Sequence, residues 1–303
     1  MRLFLHPQTN VVRTIGGSLL QWNENQQLIN GVYRASLRKK IGNINNVVVA
    51  AFTFDSRKYE INSIKGERFF DKEFVSINNT DPLTVASITT NSNWNRAGAF
   101  VTYNGTYKNW LNFSGSYRQD YSSRLVDPVN YKLKDATYGY YSVGANVVVT
   151  ELFKNLPKAF QYGKLRINYA TTGRDPSQPY VKGQRYAAST FTGGGFSPFV
   201  TQGSPSLTAE LSKQFETGAE LKFFQNRLGL DFAYYRTKTE GQIFNPRLSF
   251  ASGALLQWLN GGETENKGFE FQLTGTPIKG KKFNWDITVN FARNRQKDRK
   301  SVV

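Results

Sequence analysis

From Phe283 to Phe291 every second residue is large and apolar: Phe283, Trp285, Ile287, Val289 and Phe291. Between them stand Asn284, Asp286, Thr288 and Asn290. Successive side chains of a β-strand point to opposite faces, so this segment has one apolar face and one polar face. The period recurs. Phe215, Thr217, Ala219, Leu221 and Phe223 alternate with Glu216, Gly218, Glu220 and Lys222. Leu228, Leu230, Phe232 and Tyr234 alternate with Gly229, Asp231, Ala233 and Tyr235, and Phe269, Phe271 and Leu273 with Glu270, Gln272 and Thr274. The pattern predicts about ten strands, near residues 31–42, 46–58, 96–107, 109–119, 138–150, 162–172, 214–224, 226–237, 265–276 and 281–293. Each reaches the ~9–11 residues that a tilted membrane strand needs.

The connections sort into two kinds. Gly42 to Asn45, Lys108, Gln225 and Pro277 to Gly280 predict short turns, whereas 59–95, 120–137, 173–213 and 238–264 read as long loops. The stretch near 151–161 is intermediate, with Leu152-Phe153 and Leu156-Pro157 suggesting a small helical cap. Strict alternation of short turns and long loops is the signature of an antiparallel transmembrane β-barrel, and a soluble sandwich gives no reason for it. Aromatics gather toward strand ends at Trp110, Tyr117, Tyr234, Tyr235 and Trp285, where interfacial girdles sit. The expected fold is all-β: about ten or more strands of a larger barrel, polar within and apolar without. The competing reading of the same alternation is a soluble or surface-displayed β-rich carbohydrate-binding or adhesion module.

Composition narrows this little. The chain has 303 residues, 39% hydrophobic and 15% aromatic, and a mean hydropathy of −0.50. Barrels hide behind such values because half of each strand faces water. The longest apolar run, Val47 to Phe54, is broken by Thr53 and falls far short of the ~18 residues of a membrane helix. There is no cysteine, which excludes disulfides and thiolate sites, and one histidine, His6, which reads as a surface residue near a chain end. The net charge is +17. Its cations are scattered apart from Arg38-Lys39-Lys40 and Lys297 to Lys300, a distribution suited to anionic lipid headgroups or an anionic solute, and no nucleic acid is expected.

The ends carry two expectations. Met1 to Pro7 has too short an apolar core for a signal peptide, so an exported barrel would need further N-terminal sequence. Asp298-Arg-Lys-Ser-Val-Val303 equals the in-frame translation of a common short-read sequencing adapter. Residues 298–303 are therefore expected to be a non-native tail, and 1–297 the partial barrel domain, without plug or signal.

No catalytic set emerges. Ser36-Leu-Arg-Lys39 matches S-x-x-K, but that nucleophile belongs at a helix start and here lies in strand residues. Glu216 and Glu220 share a strand face, about 13 Å apart, beyond the ~5–9.5 Å of glycosidase carboxylate pairs. Lys267-Gly-Phe-Glu-Phe271 imitates an RNA-binding strand, but Glu270 would repel phosphate. Gly193-Gly194-Gly195 reads as flexible loop and not as a phosphate cradle. Tyr180, Tyr186, Phe191, Phe196, Phe199 and Trp258 have the chemistry to stack on sugar rings, but packing among loops explains them equally well. No catalytic, metal or cofactor site is assigned, and substrate-binding residues stay unassigned.

Four blocks resemble the SusC-like branch of TonB-dependent outer-membrane transporters (the SusC/RagA type). Leu111-Asn-Phe-Ser-Gly-Ser-Tyr-Arg118 with Asp120-Tyr-Ser-Ser-Arg124 looks like that family's "R-x-D-x-S-S-R" strand end. Gly163-Lys-Leu-Arg-Ile-Asn-Tyr-Ala-Thr-Thr-Gly173 is similar to "K-L-R-x-S-Y-x-x-T-G". Glu210 to Leu221, Asn226-Arg-Leu228 and Tyr234 to Thr239 follow "E-x-G-x-E-L…N-R-L…Y-Y-x-x-x-T". Asn266-Lys-Gly-Phe-Glu270 with Thr276-Pro-Ile278 resembles "N-K-G-F-E…T-P-I", and Phe283-Asn-Trp285, Asn290-Phe291 and Asn294 to Lys297 continue in order. The likeness spans 96–297 and thins before it. It implies a bacterial outer-membrane protein and part of a 22-stranded barrel whose N-terminal plug engages TonB. It further implies import of oligosaccharides, or of peptides, driven by the TonB-ExbB-ExbD complex, with a SusD-like surface lipoprotein as lid. Contact with outer-membrane lipid and lipopolysaccharide follows from the same location.

Overall fold

The computed structural model describes residues 2–5, 16–153, 155–189 and 195–300. In chain order the strands are β1 (Arg2–Leu5), β2 (Ser18–Ile41), β3 (Ile44–Glu67), β4 (Ala86–Tyr107), β5 (Leu111–Ser122), β6 (Thr137–Val148) and β7 (Phe160–Arg174). They continue with β8 (Tyr186–Ser189), β9 (Gly195–Pro198), β10 (Thr201–Gln202), β11 (Glu210–Phe223), β12 (Leu228–Phe244), β13 (Leu256–Gln257), β14 (Leu259–Lys279) and β15 (Asn284–Lys300). Eleven form one sheet in the order β1-β2-β3-β4-β5-β6-β7-β11-β12-β14-β15. The pairs β1–β2, β4–β5, β5–β6, β6–β7, β7–β11, β11–β12, β12–β14 and β14–β15 are antiparallel. Neighbours in the sheet are neighbours in sequence, apart from short strands that pair among themselves: the hairpin β8–β9 and the parallel pair β10–β13. No helix among the described residues is long and apolar enough to cross a membrane.

The chain divides into two compact units. The first comprises Met1–Gly31 and Asp55–Asn95; the second comprises Val32–Phe54 and Arg96–Val303. In the first, β1 pairs with the start of β2, and Leu19 is fully buried. The connection after Glu67 is held by its own polar groups. Asn79 Nδ2 donates to the carbonyls of Asp71 and Phe74, at 2.6 and 2.5 Å, and Thr84 Oγ1 donates to Glu67 O at 2.8 Å. Arg68 bridges Asp81 at 2.9 Å, and the Arg57 guanidinium lies over the Trp94 ring.

In the second unit the alternation of the sequence becomes two continuous faces. One row of directly opposed residues runs Leu165, Ala219, Phe232, Phe271, Phe291 across five strands. The adjacent row runs Lys164, Glu220, Asp231, Gln272, Asn290. Residues in the first row point to one face and those in the second to the other, because side chains alternate. The apolar face is bare: Leu165 is 51% exposed, Phe232 43% and Phe291 53%. A sandwich would bury it. A wall set in hydrocarbon leaves it open to lipid.

The upper limit of this apolar face is slanted. Its last aromatic residue is Tyr169 on β7 and Phe215 on β11, which are directly opposed. On β12 and β14 it is Tyr234 and Phe269, one pleat lower, because Phe215 faces Arg236. On β15 it is Phe291, lower again, since Phe269 faces Arg293. The limit thus falls four residues in four strand-to-strand steps. With roughly 3.3 Å per residue and 4.8 Å per strand the slope is about 35°, the tilt at which barrel strands cross a bilayer. Along β11 the apolar stretch runs Phe215 to Phe223, nine residues, in keeping with the ~9–11 of a membrane strand.

Short turns and long connections alternate as expected, with shifted bounds. Lys108 and Asn109 take positive φ of 45° and 66°, and Phe224, Gln225 and Asn226 of 54°, 59° and 63°, which matches the twist of tight hairpins. Between β6 and β7 stands one helical turn, Val149–Leu152. The last turn begins at Gly280, since Pro277 to Lys279 belong to β14. The larger correction concerns the loops. β3 and β4 fill about half of the region read as a 59–95 loop, β12 and β14 about half of 238–264, and β2 starts at Ser18. Strands that rise beyond the bilayer have water on both faces, so they lose the alternation that reveals them while keeping their backbone ladder. Tyr235 takes the polar face that the alternation predicts, so it is no part of the expected aromatic girdle. It opposes Glu216 and Gly268 on the polar face, whereas Tyr117 and Tyr234 lie on the apolar one.

Candidate functional site: the polar face and the loop base

On β7, Arg166 stands between two strands' worth of acids. Its Nη2 donates to Asp231 Oδ1 at 2.8 Å, and its Nε lies 3.8 Å from Glu216. Gly218 makes room for it: a Cβ there would stand 2.8 Å from the guanidinium carbon. Arg166, Asp231, Glu270, Gln272 and Asn290 line a cleft of about 470 Å³ on the polar face. Toward β5 the same face is a run of neutral hydrogen bonds. Asn112 donates to Asn146 at 2.9 Å, Thr106 to Asn112 at 2.8 Å, and the hydroxyls of Ser116 and Ser142 meet at 2.7 Å. Such a surface offers a passing solute many exchangeable polar partners and no hydrophobic trap.

Above it lies the base of the long loops, fixed by Asp120 and Asp175. Asp120 is 3% exposed. It accepts from Arg118 Nε at 2.8 Å and from the Tyr140 hydroxyl at 2.9 Å, while Arg118 Nη2 also reaches Thr53 Oγ1 at 2.9 Å. Gly98 is required here, because a Cβ would overlap both the Asp120 carboxylate and Arg118. Ser122 donates to Asp175 Oδ2 at 2.6 Å, and Arg124 Nη1 to the carbonyl of Pro176 at 3.1 Å. The Arg118-x-Asp120-x-Ser122-x-Arg124 motif therefore stitches the end of β5 to the first residues of the 175–209 connection. In the loop beyond β5, the Asp127 carboxylate accepts from the N–H groups of Val129 and Asn130 at 2.9 and 3.2 Å, which holds its pKa below the ordinary range.

The aromatic residues singled out by type separate in the structure. Tyr180, Tyr186 and Phe196 are exposed, at 55%, 62% and 78%. Phe199 instead lies under the Arg185 guanidinium at 4.5 Å, and the Trp258 backbone is tied to Gln202 O at 3.0 Å. Phe191, Gly193, Gly194 and His6 lie outside the described residues. Ser36 and Lys39 sit exposed within β2, and Lys267 to Phe271 within β14. Glu216 and Glu220 share the polar face and are engaged by Arg166 and Lys222. Arg166, Asp231 and Asp175 were not singled out from the sequence, because their partners lie 65 or 53 residues away and only the strand register joins them.

The family described as TonB dependent receptor-like, beta-barrel, matches residues 9–301. The chain belongs to this family. It is an outer-membrane β-barrel protein by that membership. Relatives include two proteins of Formosa agariphila. The chain is 30% identical to TonB-dependent receptor P3 over 207 residues, which is 65% of this chain and 20% of that protein. It is 29% identical to TonB-dependent receptor P26, over 74% of this chain and 22% of that protein. It thus spans about a fifth of the length of these relatives. In fold it is similar to the RagAB peptide transporter, at 21% identity and TM-score 0.84, covering 94% of this chain and 31% of that one. These relatives are receptors and a transporter, not enzymes.

Proposed function

We propose that this chain is a stretch of barrel wall, with its outer connections, in a TonB-driven importer of oligosaccharides or similar nutrients, peptides included. The observation that carries this reading is the two-faced sheet of the second unit. An apolar face fit for lipid backs a polar face that bears a cleft and a ladder of Asn, Ser, Gln, Asp and Glu side chains. Sugars and peptides are both rich in neutral donors and acceptors, and such a face can exchange bonds with either. Exposed Tyr180, Tyr186 and Phe196 supply stacking surfaces among the long connections. One solved structure of similar fold is a peptide transporter, which supports keeping peptides in the substrate class. In this reading a plug domain elsewhere in the full-length receptor engages TonB-ExbB-ExbD, and a SusD-like lipoprotein closes over the long loops.

The test is uptake by the full-length receptor in its native cells. Removing residues 187–197, the β8–β9 hairpin whose base is closed by the Phe199 N–H to Arg185 O bond, should lower uptake of labelled oligosaccharide or peptide and leave barrel assembly intact. Loss of assembly, or uptake unaffected by both this deletion and loss of TonB, would overturn the reading.

A further inference from the structure

Two of the long connections of the second unit wall a recess that is separate from the cleft around Arg166. It measures about 470 Å³ and lies between the start of β6, Lys134 and Asp135 before it, and the run Pro205 to Leu211. Its mouth is exposed and carries Lys134, Asp135, Ser206 and Thr208. Its floor is buried: Tyr138 is 9% exposed, Lys182 3% and Leu207 1%. The backbone holds Lys182 in place. The Ser204 N–H donates to Val181 O at 3.0 Å. A Cβ at Gly203 would overlap the carbonyl oxygens of Val181 and Gly183, and one at Gly183 would stand 2.9 Å from Pro128.

Lysine is almost never fully buried unless an anion pairs with it. Among the described residues the Lys182 side chain makes no hydrogen bond or ion pair. Asp127 feels its charge, but that carboxylate is taken up by the N–H groups of Val129 and Asn130. The Tyr138 hydroxyl also lacks a hydrogen-bond partner among the described residues, while its ring stacks on Tyr140 with centroids 6.3 Å apart. Both groups are buried by segments of this chain itself. Any further part of the receptor reaches them only by entering the recess. Burying a charge and a hydroxyl unpaired costs free energy, and a ligand that pairs with both offsets that cost.

We propose that this recess holds a uronate, one acidic sugar ring of an imported oligosaccharide, with its carboxylate on Lys182 and Tyr138. The inference rests on the importer reading above and narrows its substrate class. A single ammonium at the floor matches a monoanion, and hydrogen bonds between charged groups are the strong ones. Asp135 at the mouth repels a second anionic group and accepts from ring hydroxyls. Four hydroxyl side chains in the lining, those of Thr137, Tyr138, Ser206 and Thr208, suit a polyhydroxylated ring. The volume lies toward the lower end of the range for small-molecule sites, room for one ring and the start of its linkage.

The experiment is saturation-transfer NMR on the full-length receptor in detergent. Its probes are the methyl glycosides of glucuronate, galacturonate and mannuronate, set against those of glucose, galactose and mannose. At least one uronate should bind, and Lys182→Met should weaken it about ten- to a hundredfold, the range for one hydrogen bond to a charged group. The neutral counterpart should bind wild type as weakly as the uronate binds the variant. The same substitution should keep or raise the melting temperature, because Met replaces a buried unpaired charge. A lowered melting temperature with uronate binding unchanged would show that Lys182 serves only the fold. Tyr138→Phe removes a hydroxyl alone and should weaken binding several-fold; it decides the matter if the lysine variant gives no heat-modifiable barrel. Equal binding of acidic and neutral glycosides, or none by any uronate, would overturn the proposal. So would equal displacement of the uronate by triglycine at the same concentration, which would mark a peptide carboxylate site. Uptake indifferent to TonB with Lys182-dependent binding intact would sink the importer reading and leave the uronate site standing.

Discussion

Leu230 and Asn290 show what one residue's face is worth. Leu230 lies between Leu221 and Leu273 in the middle of the apolar band, and Asn290 opposes Gln272 on the polar side. Leu230→Arg and Ile287→Arg should each cost roughly 2–4 kcal/mol, since both lie four residues inside the slanted limit of the band. Thr288→Arg and Asn290→Arg should change stability little. Denaturant unfolding in lipid vesicles measures all four, and equal damage on both faces would mean that both are buried. Asp120 is a different case, being a carboxylate held by Arg118 and Tyr140 at 3% exposure. Asp120→Ala strands both donors and should cost about 2–4 kcal/mol, whereas Asp120→Asn keeps an acceptor and should cost less. The resemblance to a family motif pointed at Asp120 from the sequence. Its role did not, because Tyr140 and Thr53 reach its cluster through neighbouring strands.

Hairpins carry the next level of specificity. Gln225 sits in the middle of three consecutive left-handed residues between β11 and β12. A β-branched residue is strained there, so Gln225→Val should destabilise by about 1–2 kcal/mol relative to Gln225→Gly. The comparison is read from the midpoint of the same unfolding curves, and the reverse order would mean that the turn is not left-handed. Element ends were the least legible part of the sequence. The alternation that marks Phe215 to Phe223 exists because lipid wets one side only. Past the band, residues such as Glu60 to Glu67 on β3 and Thr239 to Phe244 on β12 still pair, yet nothing in their polarity separates strand from loop.

At the scale of the molecule the sheet has two ends. Among the described residues β1 and β15 each have a single neighbour in the strand order. Unpaired edges are intolerable in hydrocarbon, so this chain expressed alone should aggregate or require detergent. A detergent-free monomer with a cooperative melt would contradict the membrane reading. Topology is tested on intact cells that make the full-length receptor. Phe196 is 78% exposed in the connection between β7 and β11, and Gln225 lies at a short turn. Phe196→Cys should react with an impermeant thiol reagent and Gln225→Cys should not. The chain has no native cysteine to confuse the result. Labelling at Gln225 with protection at Phe196 would invert the orientation.

The sequence alone determined the strands inside the bilayer, the face each residue takes and the sidedness of turns and loops. One physical cause underlies all three: a strand between lipid and water must alternate. Register was decided only in the tertiary structure. It sets Lys164, Glu220, Asp231, Gln272 and Asn290 in one row and Lys267 against Arg236 and Arg295 in another. The two-residue period says which face a side chain occupies, but a slide by two residues preserves every face and changes every neighbour. The polar cleft, the loop anchor at Asp120 and Asp175, and the recess over Lys182 are all matters of neighbours. They became visible only when bulges, turn lengths and packing had fixed which residue stands opposite which.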